Sequence, residues 1–406
     1  MPVTSLPDWI AHYAQPENIW FAKRLSANDT QQTRGHQAGP YIPKTLLFSV
    51  LPGLNKNAEE NPRVALDAFV DSHADVRTVS AIWYNGQLFG KTRNETRVTG
   101  WGGLGSAMLD PKSTGALAVF VFEGGASGET KALHVWVTDE NGYEDEVLED
   151  VLGPIDPGTH LIWRPGDPIN LFGAGTVASC QLKPPQMPPA WLGAFPSASE
   201  IVRKAVELRP LQSESADVRL IRRRECEFEI FKAVEQALEG PRVVAGFSDL
   251  NQFLALSQTI LQRRKSRSGR SLELQTREIF VEQGLIEGVD FSHGAAVEGG
   301  KRPDFVFPSK AAYEDPAYPP GRLRMLAAKT TARDRWRQIL NEADRIGTKH
   351  LLTLQEGVSE TQYAEMRTAN VKLVVPAPLL SKYPNSVQPE LVTLESFVAE
   401  LRTLRT

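Results

Sequence analysis

The 406 residues include only two cysteines, Cys180 and Cys226. They are far apart and fit no zinc-ligand spacing, so neither a disulfide scaffold nor a zinc site is expected, and a reducing compartment is implied. Long apolar runs are also missing: none reaches the roughly 18 residues that a membrane-spanning helix requires. The N-terminus, MPVTSLPDWIAHYAQ, has no basic n-region and no apolar core, so no signal peptide is expected. These features predict a soluble cytoplasmic chain with no membrane partner. Positive charge is not in excess, because the formal net charge is -4. Any contact with a polyanion must therefore come from local clusters and not from a global field. The histidines outside residue 36 form no metal-ligand spacing, and no internal repeat is visible.

What is present is enough for two domains, each with its own core. Residues 75–85, 115–123 and 132–139 are β-branched or aromatic runs bounded by Gly and Asn, as strands are. They predict a mainly β N-terminal domain over 1–180, with one acidic helix at 143–152. The run QLKPPQMPPAWLGAFP predicts an extended, semi-rigid linker over 181–197. Beyond it the apolar period becomes helical at 215–238, 247–265 and 270–285. From residue 301 short strands alternate with helices, predicting an α/β domain with a mixed sheet over 198–406.

The densest chemistry lies in 301–346. Asp304 opens the apolar run DFVFP, Lys329 closes RMLAAK, and Glu342 follows on a helix predicted over 333–346. Each has a plain alternative: a turn aspartate, a strand-end lysine with its ammonium in water, a solvated helix glutamate. Together they form a set suited to phosphodiester hydrolysis. Two carboxylates suit Mg²⁺, a hard cation that takes oxygen ligands, and a lysine can stabilise developing negative charge. The pattern is PD…(D/E)xK with one departure: Ala327 stands where the usual acid would be, and Glu342 can supply that carboxylate from another backbone position.

Long segments carry a family resemblance. RMLAAKTTARDRWRQILNEADRIGTKHLLTLQEGVSETQY (324–363), RRKSRSGRSLELQ (263–275), RPDFVFPSKAAY (302–313), KRLSANDT (23–30), GHQAGPYIP (35–43) and FGKTRNETRVTGWG (89–102) resemble the EcoRII family of restriction endonucleases. The resemblance implies a B3-like pseudobarrel followed by a restriction-endonuclease-like α/β domain. It implies Mg²⁺-dependent cleavage of double-stranded DNA at CCWGG by a homodimer, in a bacterium. It further implies a type IIE enzyme, in which effector DNA bound to the N-terminal domain lifts a block on the catalytic cleft. Asp304 and Glu342 would hold metal, Lys329 would be the catalytic lysine, and Tyr313 would lie near the active site.

Arg333, Asp334 and Arg335 match the segment that reads C·G pairs in this family. Arginine can fork onto guanine O6/N7 and aspartate can accept from cytosine N4. Arg333 departs from the family's lysine, keeping charge but changing geometry. Arg263, Arg264, Lys265, Arg267 and Arg270 form either a phosphate-contacting segment or a solvated basic helix end. Glu273 is either a metal-proximal acid or a solvated glutamate. In the N-terminal half Lys91, Arg93, Glu95, Arg97 and Trp101 could be a solvated hairpin. By resemblance they form, with His36 and Tyr41, the effector DNA site, with Thr96 in place of a lysine. A regulator that binds DNA without cutting it is the alternative function.

Overall fold

The computed structural model describes residues 5–30, 32, 39–139, 143–152, 155–163, 180–333 and 335–404. His36 and Asp334 lie outside these described residues. The N-terminal domain runs α1 (Leu6–Tyr13), β1 (Ile19–Arg24), α2 (Lys44–Val50), β2 (Arg63–Val70), β3 (Asp75–Tyr84), β4 (Glu95–Thr99), β5 (Leu117–Glu123), β6 (Ala132–Val137), α3 (Tyr143–Leu152) and β7 (His160–Trp163). Its strands form one curled sheet in the order β4-β3-β2-β6-β5-β1-β7, in which β2 and β6 pair in parallel. Successive side chains of a strand point to opposite faces. In β5, Ala118, Phe120 and Phe122 enter a core with Phe21, Leu46, Leu47 and Trp101. Leu117, Val119 and Val121 enter another with Trp9, Trp20, Trp136 and Leu148. A strand covered on both faces reads as a continuous apolar run, which is why 115–123 shows little alternation.

The C-terminal domain continues with α4 (Pro189–Gly193), α5 (Ala198–Leu208), α6 (Ala216–Ala245), α7 (Leu250–Glu282), β8 (Ser292–His293), β9 (Phe305–Phe307), α8 (Lys310–Glu314), β10 (Arg324–Lys329), α9 (Arg335–Gln338), β11 (Lys349–Thr353), α10 (Glu360–Thr368), β12 (Val371–Val374) and α11 (Leu394–Thr403). The sheet order is β12-β11-β10-β9-β8, with β10, β11 and β12 parallel and β8 and β9 antiparallel. This is the mixed α/β sheet expected. Residues of α6, α7 and α11 pack on one face with Leu326, Ala328 and Phe305. Trp336, Tyr363 and Met366 of α9 and α10 pack on the other with Met325 and Ala327. Among the described residues no helix is long and apolar enough to cross a membrane.

Three expectations are corrected. The helices expected at 247–265 and 270–285 are one, α7. Gly269 and its neighbouring serines lower helix propensity locally, but Arg264 and Arg267 pair across to Glu235 and Glu227 of α6 and hold the helix continuous. The Pro-rich run is not a free spacer: Leu182, Met187 and Trp191 pack against Ile230, Phe231 and Val234 of α6. Cys180 and Cys226, expected to stay unpaired, are joined in a disulfide across a separation of 46 residues. No local spacing signals a pairing that depends on the linker folding back onto α6.

Phe280 of α7 is fully buried, with ring centroids of Phe291, Phe305 and Phe307 at 5.6, 5.2 and 5.5 Å. Phe280→Ala is expected to lower unfolding stability by roughly 3–5 kcal/mol. Urea denaturation followed by tryptophan fluorescence checks this, and a loss under about 1 kcal/mol would contradict the core described.

Candidate active site

Asp304 directly precedes β9, and Lys329 ends the neighbouring β10. Antiparallel pairing of Leu326 with Phe305 brings the two together. Asp304 Oδ2 accepts from the Ala328 amide at 2.7 Å and from Lys329 Nζ at 3.1 Å. Glu273, on α7, places a second negative charge near Asp304 and lies 3.7 Å from His293 Nε2. Burial pushes the Asp304 carboxyl above its usual range, and Glu273 adds to this against the opposing pull of Lys329. Burial would also raise Glu273, but His293 and Arg270 hold it below its ordinary value.

Glu342 is not on a continuous helix, contrary to expectation. The turn of α9 tightens over Ile339–Asn341, and Glu342 follows in extended conformation. Ala343 then takes a φ of 50°, a left-handed value. Buried Lys349, at the start of β11, explains the break: its Nζ donates to the Glu342 and Ala343 carbonyls at 2.5 and 2.7 Å. The carboxylate is thereby turned toward Lys329 and Asp304, whose charges it feels, and burial raises it above its usual value. Ala327 is fully buried in the same apolar cluster as Ala343, which is consistent with a missing acid on β10 replaced from this neighbouring segment.

Glu342 Oε2 is buried with no hydrogen-bond partner. A buried, unpartnered carboxylate oxygen is costly in isolation, and with Asp304 among its charged neighbours it has the chemistry to accept a cation. Among the described residues no three side chains form a ready-made metal cluster.

Tyr313 is buried on α8, near the Glu298 carboxylate, and its hydroxyl accepts from the Arg345 amide at 3.3 Å. The Arg345 guanidinium in turn donates to the carbonyls of Tyr313, Asp315 and Tyr318. Tyr313 therefore braces the segment that follows Glu342. His293 and Lys349 carried no signal in the sequence: one is an isolated histidine beside a glycine, the other a lysine opening an apolar strand.

Arg333 is buried beneath the N-terminal domain. Its guanidinium donates to Asp145 Oδ1 at 3.0 Å, Thr138 Oγ1 at 3.3 Å and the Asp139 carbonyl at 2.5 Å. Asp145 also accepts from Arg24 at 2.7 Å. Burial would raise Asp145, but Arg24 and Arg333 hold it below the usual carboxylate range. Arg335 is half-buried on α9.

The basic run divides. Arg264 is buried against Glu235, and Arg267 against Glu227 and Asp156. In this arrangement both arginines face α6 and neither is open to phosphate. Arg263 is largely covered, 3.0 Å from Glu239 and stacked 4.0 Å over Phe195. Arg270 is exposed, 3.2 Å from Glu273.

In the N-terminal domain Tyr41 is exposed and bridges Arg97 through the backbone. Arg93 lies 2.6 Å from Glu95 and stacks 3.5 Å over Tyr84. Arg97 donates to the Gly39 carbonyl at 2.7 Å and lies 3.3 Å from Glu95, and exposed Lys91 pairs with Glu60. Trp101 is fully buried in the core, its Nε1 bonded to the Val98 carbonyl. Gly39, at φ 115°, lies against it: a Cβ there would come within 3.1 Å of the indole and 2.0 Å of the Val98 oxygen. Thr96, also buried, donates to the Ile42 carbonyl.

Residues 14–167 match the family model of the EcoRII restriction endonuclease N-terminal domain, and 231–398 that of the EcoRII C-terminal domain. The chain is 43% identical over 399 residues to the type II restriction enzyme EcoRII of Escherichia coli, covering 98% of this chain and 97% of that one. It is 31% identical over 127 residues to the type II restriction enzyme SsoII of Shigella sonnei, covering 30% of this chain and 40% of that one. Metal-depleted Ecl18kI in complex with uncleaved, modified DNA superimposes with a TM-score of 0.43 and 19% identity, covering 52% of this chain and 80% of that one. The UbaLAI restriction endonuclease B3 domain with cognate DNA gives 0.27 and 19%, covering 36% and 86%. The near-full-length sequence match carries the assignment: the chain belongs to the EcoRII family of type II restriction enzymes, which are site-specific deoxyribonucleases.

Proposed function

We propose that this restriction enzyme cuts double-stranded DNA at CCWGG with Mg²⁺ as cofactor, acting as a homodimer in the bacterial cytoplasm. The observation that carries the catalytic reading is the Asp304–Lys329 contact at 3.1 Å beside the unpartnered oxygen of Glu342. The chemistry a divalent cation supplies when held by Asp304 and Glu342 is neutralisation of phosphate charge and a lowered pKa for water. Lys329 orients the attacking water and stabilises the charge that develops on the phosphate oxygens. The Ala328 amide and Lys329 fix the Asp304 carboxyl, while Lys349, Tyr313 and Arg345 fix the backbone that carries Glu342. The water oxygen bonds to phosphorus as the bond to the 3′ oxygen breaks, leaving 5′-phosphate and 3′-hydroxyl ends. No covalent intermediate with the protein is required. A near-palindromic site favours a two-fold protein, one active site per strand.

We further propose that Arg333, with Asp334 and Arg335, reads C·G pairs, and that the N-terminal domain restrains it. The guanidinium that would meet guanine is held by Asp145, Thr138 and Asp139. Effector DNA on the surface formed by Tyr41, Lys91, Arg93 and Glu95, and His36 by resemblance, backed by buried Arg97, releases that restraint. Asp29 connects the two regions: its Oδ1 accepts from the Tyr41 amide at 3.1 Å, and its Oδ2 accepts from Ser26. The adjacent Ala27 amide donates to the Glu356 carbonyl of the catalytic domain at 2.9 Å. The rival function, a regulator that binds without cutting, gives no reason for the Asp304, Lys329 and Glu342 arrangement.

Plasmids carrying zero, one or several CCWGG sites, incubated with Mg²⁺ or with EDTA, test the activity. Cutting that is absent with Mg²⁺, or indifferent to CCWGG, would overturn it. Lys329→Ala is expected to abolish cleavage, by roughly a hundredfold or more, and to leave DNA retardation in a gel unchanged. Asp145→Asn is expected to raise the cleavage rate of single-site DNA roughly tenfold. A chain starting near Cys180, which keeps the linker packing on α6, is expected to do the same. Unchanged rates in both would count against restraint by the N-terminal domain.

A further inference from the structure

The segment that joins catalytic lysine to reading arginine is held by two glutamines. Gln355 is 1% exposed, just beyond the end of β11. Its Oε1 accepts from the amides of Ala332 at 2.8 Å and Arg333 at 3.3 Å, and its Nε2 donates to the Gly357 carbonyl at 2.8 Å. Both ends of the amide are therefore used, so its orientation is determined. The Gln355 carbonyl accepts from the buried Tyr383 hydroxyl at 2.9 Å, anchoring the glutamine from behind. From the other side Gln362 Nε2, on α10, donates to the Arg333 carbonyl at 3.0 Å. The backbone of Arg333 is thus held at its amide and at its carbonyl by the catalytic domain alone. Only its guanidinium is held by the N-terminal domain.

We propose that Gln355 is a specificity-positioning residue, which rests on the base-reading role proposed above for Arg333. Together with Gln362 it fixes the Ala332–Arg333 backbone, so that the arginine fork meets one base-pair edge at one distance whether or not the N-terminal domain is in place. A bidentate contact discriminates only if its geometry is set before binding, because a mobile fork can accommodate a shifted acceptor. The N-terminal domain rests directly on this brace. Gly115, at φ +84°, lies where a Cβ would come 2.8 Å from the Gln355 side-chain carbon. The covering domain therefore needs a glycine here if it is to approach without displacing the amide.

The test uses the full chain and two duplexes, one with CCWGG and one with an outer C·G pair of the site replaced. kcat/KM on each, and competitive binding of each without Mg²⁺, give two discrimination ratios. Gln355→Leu is expected to lower both ratios roughly tenfold, within the range that one bidentate base contact supplies, and to leave the Mg²⁺ concentration for half-maximal rate unchanged. Gln362→Leu, at a half-buried surface position, is expected to act in the same direction and answers the question if Gln355→Leu does not fold. A variant that loses thermal stability and slows equally on both duplexes, with unchanged ratios, has a merely structural glutamine and overturns the proposal. Wild-type protein that binds CCWGG selectively but does not cut it overturns the nuclease reading and leaves the binding ratio to decide this one. Wild-type protein indifferent to the site in both assays overturns both.

Discussion

One carboxylate, Asp145, sits between two arginines from different parts of the chain: Arg24 of β1 and Arg333 of the catalytic domain. Removing a charge from water costs several kcal/mol, and a buried pair recovers that cost only with good geometry and further hydrogen bonds. Here the remaining positions are filled: Thr138 donates to Asp145, and Arg24 also donates to the Gly115 and Ile155 carbonyls. Such a triad contributes little net stability but penalises every arrangement that breaks it inside the protein. Separation of the domains into water is different, because Arg333 then regains hydration or meets DNA. The contact is therefore specific when closed and inexpensive to exchange for water, as the restraint proposed above would need.

The catalytic cluster follows a related logic. Asp304 and Glu342 both feel the charge of Lys329, Glu273 adds negative charge beside Asp304, and burial raises both Asp304 and Glu342. Like charges and burial both disfavour the ionised carboxyls, so keeping them here carries a cost to the fold that the proposed cation would offset. The segments that deliver these groups are correspondingly braced. Lys349 fixes the carbonyls at Glu342 and Ala343, and Arg345 ties the next turn to the loop of Tyr313, Asp315 and Tyr318.

Much of this was legible in the sequence, and the remainder was hidden for identifiable reasons. Period-2 and helical patterns gave both sheets, because burial of one or both strand faces is written locally. Asp304 and Lys329 could be singled out because each sits at the end of an apolar run. The presentation of Glu342 could not, since it depends on an ammonium seven residues away turning toward two carbonyls. Arg264 and Arg267 read as a basic run because the glutamates that neutralise them lie on α6, about 30 to 40 residues earlier, one helix surface against another. Trp101 looked like a DNA-facing aromatic beside charged residues, yet alternation and the tight turn at Gly39 send it into the core. The acidic helix at 143–152 was legible as a helix, but the choice of Asp145 as the residue that meets Arg333 was not.

Strand register ties these observations to one another. Lys329 pairs in parallel with Thr353, and the Thr353 hydroxyl donates to the Thr330 carbonyl at 3.2 Å. The same register carried two residues further sets Gln355 beside the turn that leads to Ala332 and Arg333. A one-residue slip would exchange the faces of β11. It would bring Leu354 or Glu356 to the Arg333 amide, one unable to accept a hydrogen bond and the other bringing a negative charge beside a guanine-reading arginine. The β10–β11 pairing therefore fixes Lys329 and, four residues later, the backbone of Arg333. The proposed chemistry and the proposed recognition would share one frame, with the Arg333 guanidinium as the part held by the other domain.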